Sequence, residues 1–265
     1  MSATRSVRWR MVRAALCLGA LAWIACTETT GPDEPFSLEF EPIPSPSIVS
    51  GDSLRDIEGV AIPLQAIAYN LSGNRLDDAE ITFIAIDTAD AIVIDPSTGY
   101  VVATPQRRGT VRLVATVGAL QSAPVTLEIV PEPAAAAPSG TIDTLRYSFA
   151  AINTSGPLRV VVTRDSANAP VPRYLVRFRL ENLADSVVAR LVDEGGRRSP
   201  LDPSGATAID TTGADGIAGR QIRFTPSLEF PVDSIVVLAD VRLRGEQVAG
   251  SPVRLVLPVR LRTGP

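Results

Sequence analysis

The sequence predicts an all-β chain built as two tandem β-sandwiches behind an exported leader, and three observations predict it. Short apolar runs alternate with turn signals at a spacing of about 8–12 residues, the rhythm of sandwiches and barrels. Two later segments alternate apolar and polar residues with a period of two, as half-buried strands do. No stretch of the body carries a sustained apolar stripe at helical spacing, so helices are not expected. The 265 residues are 45% hydrophobic and 20% charged, which suits packed domains rather than a disordered chain.

Composition also narrows the chemistry. The chain has no histidine and no lysine, so all 25 basic residues are arginine. Imidazole bases, Ser-His-Asp triads, Cys-His pairs, histidine-built zinc sites, Schiff-base lysines and the lysine of a phosphate-binding loop are all excluded. Carboxylate chemistry, oxygen-ligated calcium or no chemistry at all remain.

The first element is a leader. Arg5, Arg8, Arg10 and Arg13 stand without any acid before the apolar run AALCLGALAWIA at 14–25, the charged and hydrophobic regions of a secretory signal. Twelve residues fall short of the roughly 20 that span a hydrocarbon core as a helix. The run ends in Trp23-Ile24-Ala25-Cys26 and is followed by polar TETTGPDEP, which resembles the lipobox of bacterial lipoproteins, although Trp23 stands where that family prefers Leu. The resemblance implies a signal peptide over 1–25, cleavage before Cys26, lipidation of Cys26 as the membrane anchor, and onward sorting to an outer membrane because Thr27, not Asp, follows. An ordinary signal cut after a nearby small residue is the competing reading. Either way Cys17 leaves with the leader, so the mature chain holds one cysteine and no internal disulfide. Four arginines leave too, so 21 arginines face 29 acids.

Residues 26–47 carry five prolines between Pro32 and Pro46 and are expected to form an extended stalk, with FSLEF as a possible first strand. Residues 48–130 then run VAIPLQAIAYN, ITFIAI, AIVI, YVVAT, TVRLVATV and PVTLEIV, separated by the turn signals LSGNR, DPSTG, QRRG and GALQS. Gly73 and Gly99 suit turn positions with positive φ, and Ala115 suits a crowded core strand. The series SGDSL, then LQAIAYN with Gly73-Asn74, then STGYVVA, then GTVRLVATVGALQSAPVTLEIV with its Gly109-to-Ala115 strand, is similar to a bacterial Ig-like domain of the second family, which implies an Ig-like sandwich over 48–130. PEPAAAAPSG at 131–140 breaks the composition with Pro, Ala and Gly and is expected to be an inter-domain linker.

Residues 141–265 repeat the pattern. Tyr174, Val176, Phe178 and Leu180 alternate with Leu175, Arg177 and Arg179, predicting one inward apolar row. Val253, Leu255, Leu257, Val259 and Leu261 alternate likewise in the last strand, where Pro258 predicts an edge or a loss of pairing. APVPRYLVRFRLEN and DTTGADGIAGRQIRFTP resemble an invasin-like bacterial Ig-like domain, and a fibronectin-like sandwich satisfies the same residues.

Candidate sites are few. Asp77, Asp78 and Glu80 are acids of the kind a glycosidase uses, but they flank a turn, and both tryptophans that would line a sugar subsite, Trp9 and Trp23, lie in the leader. Asp202, Asp210 and Asp215 gather around DTTGADG as oxygen donors for calcium, without the strict spacing of a calcium loop; Asp and Gly are also plain turn formers. Residues 36–130 hold 5 Arg and 12 acids, whereas 141–265 hold 16 Arg and 13 acids. The distal module is therefore the basic one, which reads either as attraction to an anionic envelope glycan or as arginine-painted strand faces. No catalytic, cofactor or metal residue is expected, and no nucleic-acid partner, because the chain is exported. The reading is a non-enzymatic lipid-anchored envelope protein that displays Ig-like modules for spacing, adhesion or protein interaction, with glycan binding by the Arg-rich module as the alternative.

Overall fold

A computed structural model describes residues 34–86, 90–165, 168–183, 188–199, 202–227 and 233–262. The leader at 1–25 and Cys26 lie outside the described residues. Among those described, every regular element is a strand and none is a helix.

The N-terminal half contributes β1 (Ser37–Phe40), β2 (Ser47–Val49), β3 (Ala66–Tyr69), β4 (Arg75–Leu76), β5 (Thr82–Ala85), β6 (Ile92–Ile94), β7 (Val101–Ala103), β8 (Gly109–Val117), β9 (Leu120–Gln121) and β10 (Val125–Val130). One sheet has the order β1-β3-β4; the other has β2-β10-β8-β5, with β9 folded back on β8 and β6-β7 as a separate hairpin. Alternation dictates the two faces: Phe83, Leu113, Ala115 and Leu127 point inward with Leu38, Ile48 and Leu54 and close one apolar core. Each fully buried aliphatic side chain here contributes about 1.5–3 kcal/mol.

The chain enters this sandwich in two steps. β1 pairs antiparallel with β3 in the first sheet, and after the prolines at 42, 44 and 46 the chain crosses to lay β2 parallel to β10 in the second. The stalk expected over 26–47 is thus corrected for its last part, because Leu38 and Ile48 are buried and hold both strands in the sandwich.

The C-terminal half contributes β11 (Ala135–Ser139), β12 (Leu145–Tyr147), β13 (Asn153–Thr154), β14 (Leu158–Arg164), β15 (Ala169–Pro170), β16 (Leu175–Leu180), β17 (Ala189–Val192), β18 (Thr207–Thr211), β19 (Ile217–Phe224), β20 (Ser234–Asp240), β21 (Arg242–Leu243), β22 (Glu246–Gln247) and β23 (Val253–Leu261). The sheets are β11-β14-β19-β13 and β12-β23-β20-β16-β18, facing each other across Val160, Val176, Phe178, Ile222, Ile235 and Leu255. The same split first strand recurs: β11 pairs antiparallel with β14, and β12 then pairs parallel with β23. Two sandwiches with this shared entry, one strand divided between both sheets, are Ig-like in topology.

Three local expectations change. Residues 135–139 of the segment read as a linker are strand β11, an edge strand whose Pro138 causes no loss. Ala136 donates its N–H away from β14, to the Ala249 carbonyl at 2.9 Å, and Pro138 shares its parity, so its missing donor faces off the ladder. β23 is not an edge, since it lies between β12 and β20. The other half of that expectation holds: Val259 donates to Asp233 at 2.8 Å, which turns the Pro258 nitrogen away from β20, and pairing with β12 is lost at Pro258 and begins only at Val259. Finally, Leu261 continues the inward row in register but is exposed, because the sandwich ends there.

Candidate functional site: the joint between the sandwiches

Where β2 and β10 end, the second sandwich begins. Val49 and Val130, the last register pair of the first sandwich's parallel ladder, are packed within the core of the second. Around them, polar groups from both halves interlock.

Asp52 follows β2 in the turn SGD, where Gly51 at φ 78° and the Asp52 N–H to Val49 carbonyl bond (2.9 Å) fold the chain back. Its side chain is only 6% exposed and accepts from the Ser53 amide at 2.8 Å, Arg55 Nη2 at 2.9 Å and Arg244 Nε at 2.9 Å. Burial alone would raise this carboxyl; the bonds from Arg55, Ser53 and Arg244 outweigh it and hold the group below its ordinary range. Arg244 comes from the β21-β22 hairpin of the other sandwich and reaches Glu132 as well, at 3.5 Å. Arg177 on β16 pairs with Glu58, which depresses the Glu58 carboxyl. Ser47 donates its hydroxyl to the Arg173 carbonyl at 2.7 Å, and Arg173 faces Glu128 at 3.9 Å.

The hairpin is itself braced. Asp240 at the end of β20 accepts from Arg242 (2.8 Å), Gln247 (3.1 Å) and Ser251 (3.2 Å), and these bonds overcome burial to keep its carboxyl low. The Tyr174 hydroxyl donates to the Arg242 carbonyl at 2.6 Å, and burial, then the nearby Asp52 and Glu132 charges, push that phenol well above its ordinary value. Arg173 and Arg244 both sit at positive φ, 56° and 53°, a conformation costing about 1 kcal/mol or more for a side chain with Cβ. Both stand at the joint and both touch an acid of the first sandwich, so cross-joint bonds hold these backbones in place.

Beside Asp52, Arg55, Tyr174 and Arg244 the joint encloses a cavity of about 40 Å³, and a second, open pocket of about 390 Å³ lies between Arg108 and Glu128 of one half and Arg164 and Pro172 of the other. The smaller volume fits a water or two.

Of the acids singled out in the sequence, Asp210 and Asp215 border one open pocket with Asp193, Glu194, Arg159 and Arg220, while Asp202, Asp77, Asp78 and Glu80 are not part of it. Asp77 pairs with Arg75 at 2.6 Å, while Asp78 and Glu80 are exposed. Asp202 caps its own turn, accepting from the Ser204 and Thr207 amides at 2.9 and 2.7 Å. Asp210 accepts from the Gly219 amide and faces Arg220 at 3.4 Å, and Asp215 accepts from the Ile217 amide. Among the described residues no group of three or more His, Cys, Asp or Glu side chains is placed to hold a metal, and no helix is long and apolar enough to cross a membrane. Sequence reasoning missed Asp52, Tyr174, Asp240 and Arg244. Asp52 lay in plain view within SGDSL, but that motif carries no sign that its partner stands 192 residues away.

No family model matches the chain, and no curated protein matches it. Among solved structures, domains 1–6 of the surface layer protein SbsC are similar over 86% of this chain and 28% of that one, with 14% identity and a TM-score of 0.31. The Yersinia pseudotuberculosis adhesin InvE matches 84% of this chain and 58% of its own length, with 14% identity and a TM-score of 0.32. The Escherichia coli adhesin FdeC matches 84% and 63%, with 13% identity and a TM-score of 0.31. The chain thus spans less than a third of the SbsC structure and less than two thirds of either adhesin, and its Ig-like assignment rests on its own strand pairing.

Proposed function

We propose that the chain is a non-enzymatic, lipid-anchored envelope protein whose tandem Ig-like modules serve spacing, adhesion or protein interaction. The observation that carries this reading is the joint. Asp52, Glu58, Glu128 and Glu132 of one half meet Arg173, Arg177 and Arg244 of the other around Val49 and Val130. β2 and β10 run toward the joint, and β12 and β23 run away from it, so residue 34 and residue 262 lie at opposite poles. A tether at Cys26 would therefore hold one pole at the envelope and present the other. We read 1–25 as signal peptide, 26 onward as the tethered segment, and the two sandwiches as the display body.

The alternative, an anionic glycan bound by the Arg-rich half, is less supported. At least nine of its arginines are paired with carboxylates, from Arg159 with Glu194 to Arg260 with Asp233. Much of the basic surplus is occupied within the fold. Fractionation of cells producing the native chain and a Cys26→Ala form tests the anchor. The native chain is expected in the membrane fraction with an N-terminal acyl mass, and the variant in the soluble fraction without it. Both forms soluble and unacylated would overturn the anchor.

A further inference from the structure

The ladder along β3 has a gap. Odd-numbered residues of β3 bond β1, as the Glu41 amide to Gln65 carbonyl bond at 2.9 Å fixes. Even-numbered ones face the other way. The Asn70 amide donates to the Asn74 carbonyl at 2.9 Å, Ala68 stands opposite Leu76 of β4, and the Leu64 amide donates to the Gly99 carbonyl at 2.9 Å. Ala66 lies between them, and β4 ends at Leu76, so the Ala66 N–H and C=O have no backbone partner among the described residues. From Ala68 to Leu64 is four strand steps, about 13 Å, which admits an extended segment of about three residues.

The gap opens on a groove of about 690 Å³ between β3 and β5. Its floor is apolar: Leu64 and Phe83 are buried, and Ala66, Ala79 and Ile81 pack against the same core. Its rim is acidic. Arg75, the one cation lining it, is held by Asp77 at 2.6 Å and stands 3.9 Å from Glu41, while exposed Glu80 has no partner among the described residues. An unpaired donor and acceptor on one strand residue are matched by the same two groups on another backbone. A residue laid opposite Ala66 shares its inward direction and sets its side chain on the apolar floor. Its two neighbours then point outward with Gln65, toward the acids of the rim.

We propose that this gap docks an extended segment of a partner protein, one with an apolar residue opposite Ala66 between two cationic ones. The docking is β-augmentation over a single residue pair: the segment accepts from the Ala66 amide and donates to the Ala66 carbonyl. It rests on the protein-interaction reading and is independent of the anchor, so an unacylated chain docks the same segment.

Nuclear magnetic resonance of the purified chain, titrated with the peptide acetyl-Thr-Arg-Val-Arg-Thr-amide, tests this. The Ala66 amide signal is expected to shift with added peptide and to gain protection from hydrogen exchange. The same peptide N-methylated at its valine is expected to bind about tenfold more weakly, since one bond is lost. Ala66→Pro removes the donor from a position that lends no bond to the fold. It is expected to melt with the wild type and to bind the peptide about tenfold more weakly. Glu80→Arg is expected to weaken binding by about threefold, the worth of an exposed charge pair. An Ala66 amide indifferent to the peptide overturns the proposal, as does an N-methylated peptide that binds equally, or acetyl-Thr-Glu-Val-Glu-Thr-amide binding as tightly as the cationic one. So does a clear fall in the melting temperature of Ala66→Pro, which would show that the amide already serves the fold. Protection of the Ala66 amide before peptide is added overturns it too, because the chain itself or a second copy would then fill the gap.

Discussion

Asp52 ties the joint to its own sandwich, since one buried carboxylate binds both Arg55 from its own half and Arg244 from the other. Its folded-state acidity lies below the ordinary value of 3.8. The sign follows from linkage: the stability it contributes is complete above that value and is lost as pH falls through the depressed folded one. Asp52→Asn is expected to destabilise by about 2 kcal/mol at neutral pH, less than a fully buried pair because both arginines are partly solvated. Urea unfolding of wild type and variant, compared from neutral pH down to about pH 2, checks this. The gap should close in acid, and a gap that persists there would remove Asp52 from the clasp. At this scale the sequence was legible for turns and opaque for pairs. Gly73 and Gly99 take the positive φ their turns suggested, 79° and 75°, because that demand is local. The Arg244 partner of Asp52 is set by docking, and nothing within a dozen residues encodes it.

At the scale of elements, the β21-β22 hairpin grips the first sandwich together with Arg173 and with Arg177 of β16. Gly59 and Gly245 meet backbone to backbone: a Cβ at Gly59, where φ is 83°, would lie 2.0 Å from the Gly245 nitrogen. Gly59→Ala is therefore expected to push the hairpin off and lengthen the separation of the two bodies in small-angle scattering. The interiors should keep their own near-ultraviolet signature. An unchanged scattering profile would show that the hairpin does not set the joint. Strand alternation was legible here, and Val176, Phe178 and Leu180 are buried as their period-two spacing required. The alanine-proline segment was misread because composition reports propensity and not register. Alanines small enough for an edge, with Pro138 at a parity that needs no donor, serve as a strand once β14 offers a partner.

At the scale of the whole molecule, Val49 and Val130 belong by chain to the first sandwich and by packing to the core of the second. Unfolding of one half thus exposes apolar surface of the other, and the two are expected to melt as a single cooperative transition by calorimetry. Combining Asp52→Asn with Gly59→Ala should split it into two. Two transitions in the wild type, or one in the double variant, would show that the joint does not couple the halves.

What the sequence determined by itself was what short-range chemistry decides: strand periodicity, turn glycines, and the absence of histidine and lysine with the chemistry that removes. Tertiary structure alone decided which strands crossed between sheets, that Pro258 sat inside a sheet, and that Asp52 met Arg244. The reason is range. Alternation and φ preference act over a few residues and leave their mark in composition. Docking selects partners by complementary shape and charge across the folded surface, and that selection has no local trace in the chain.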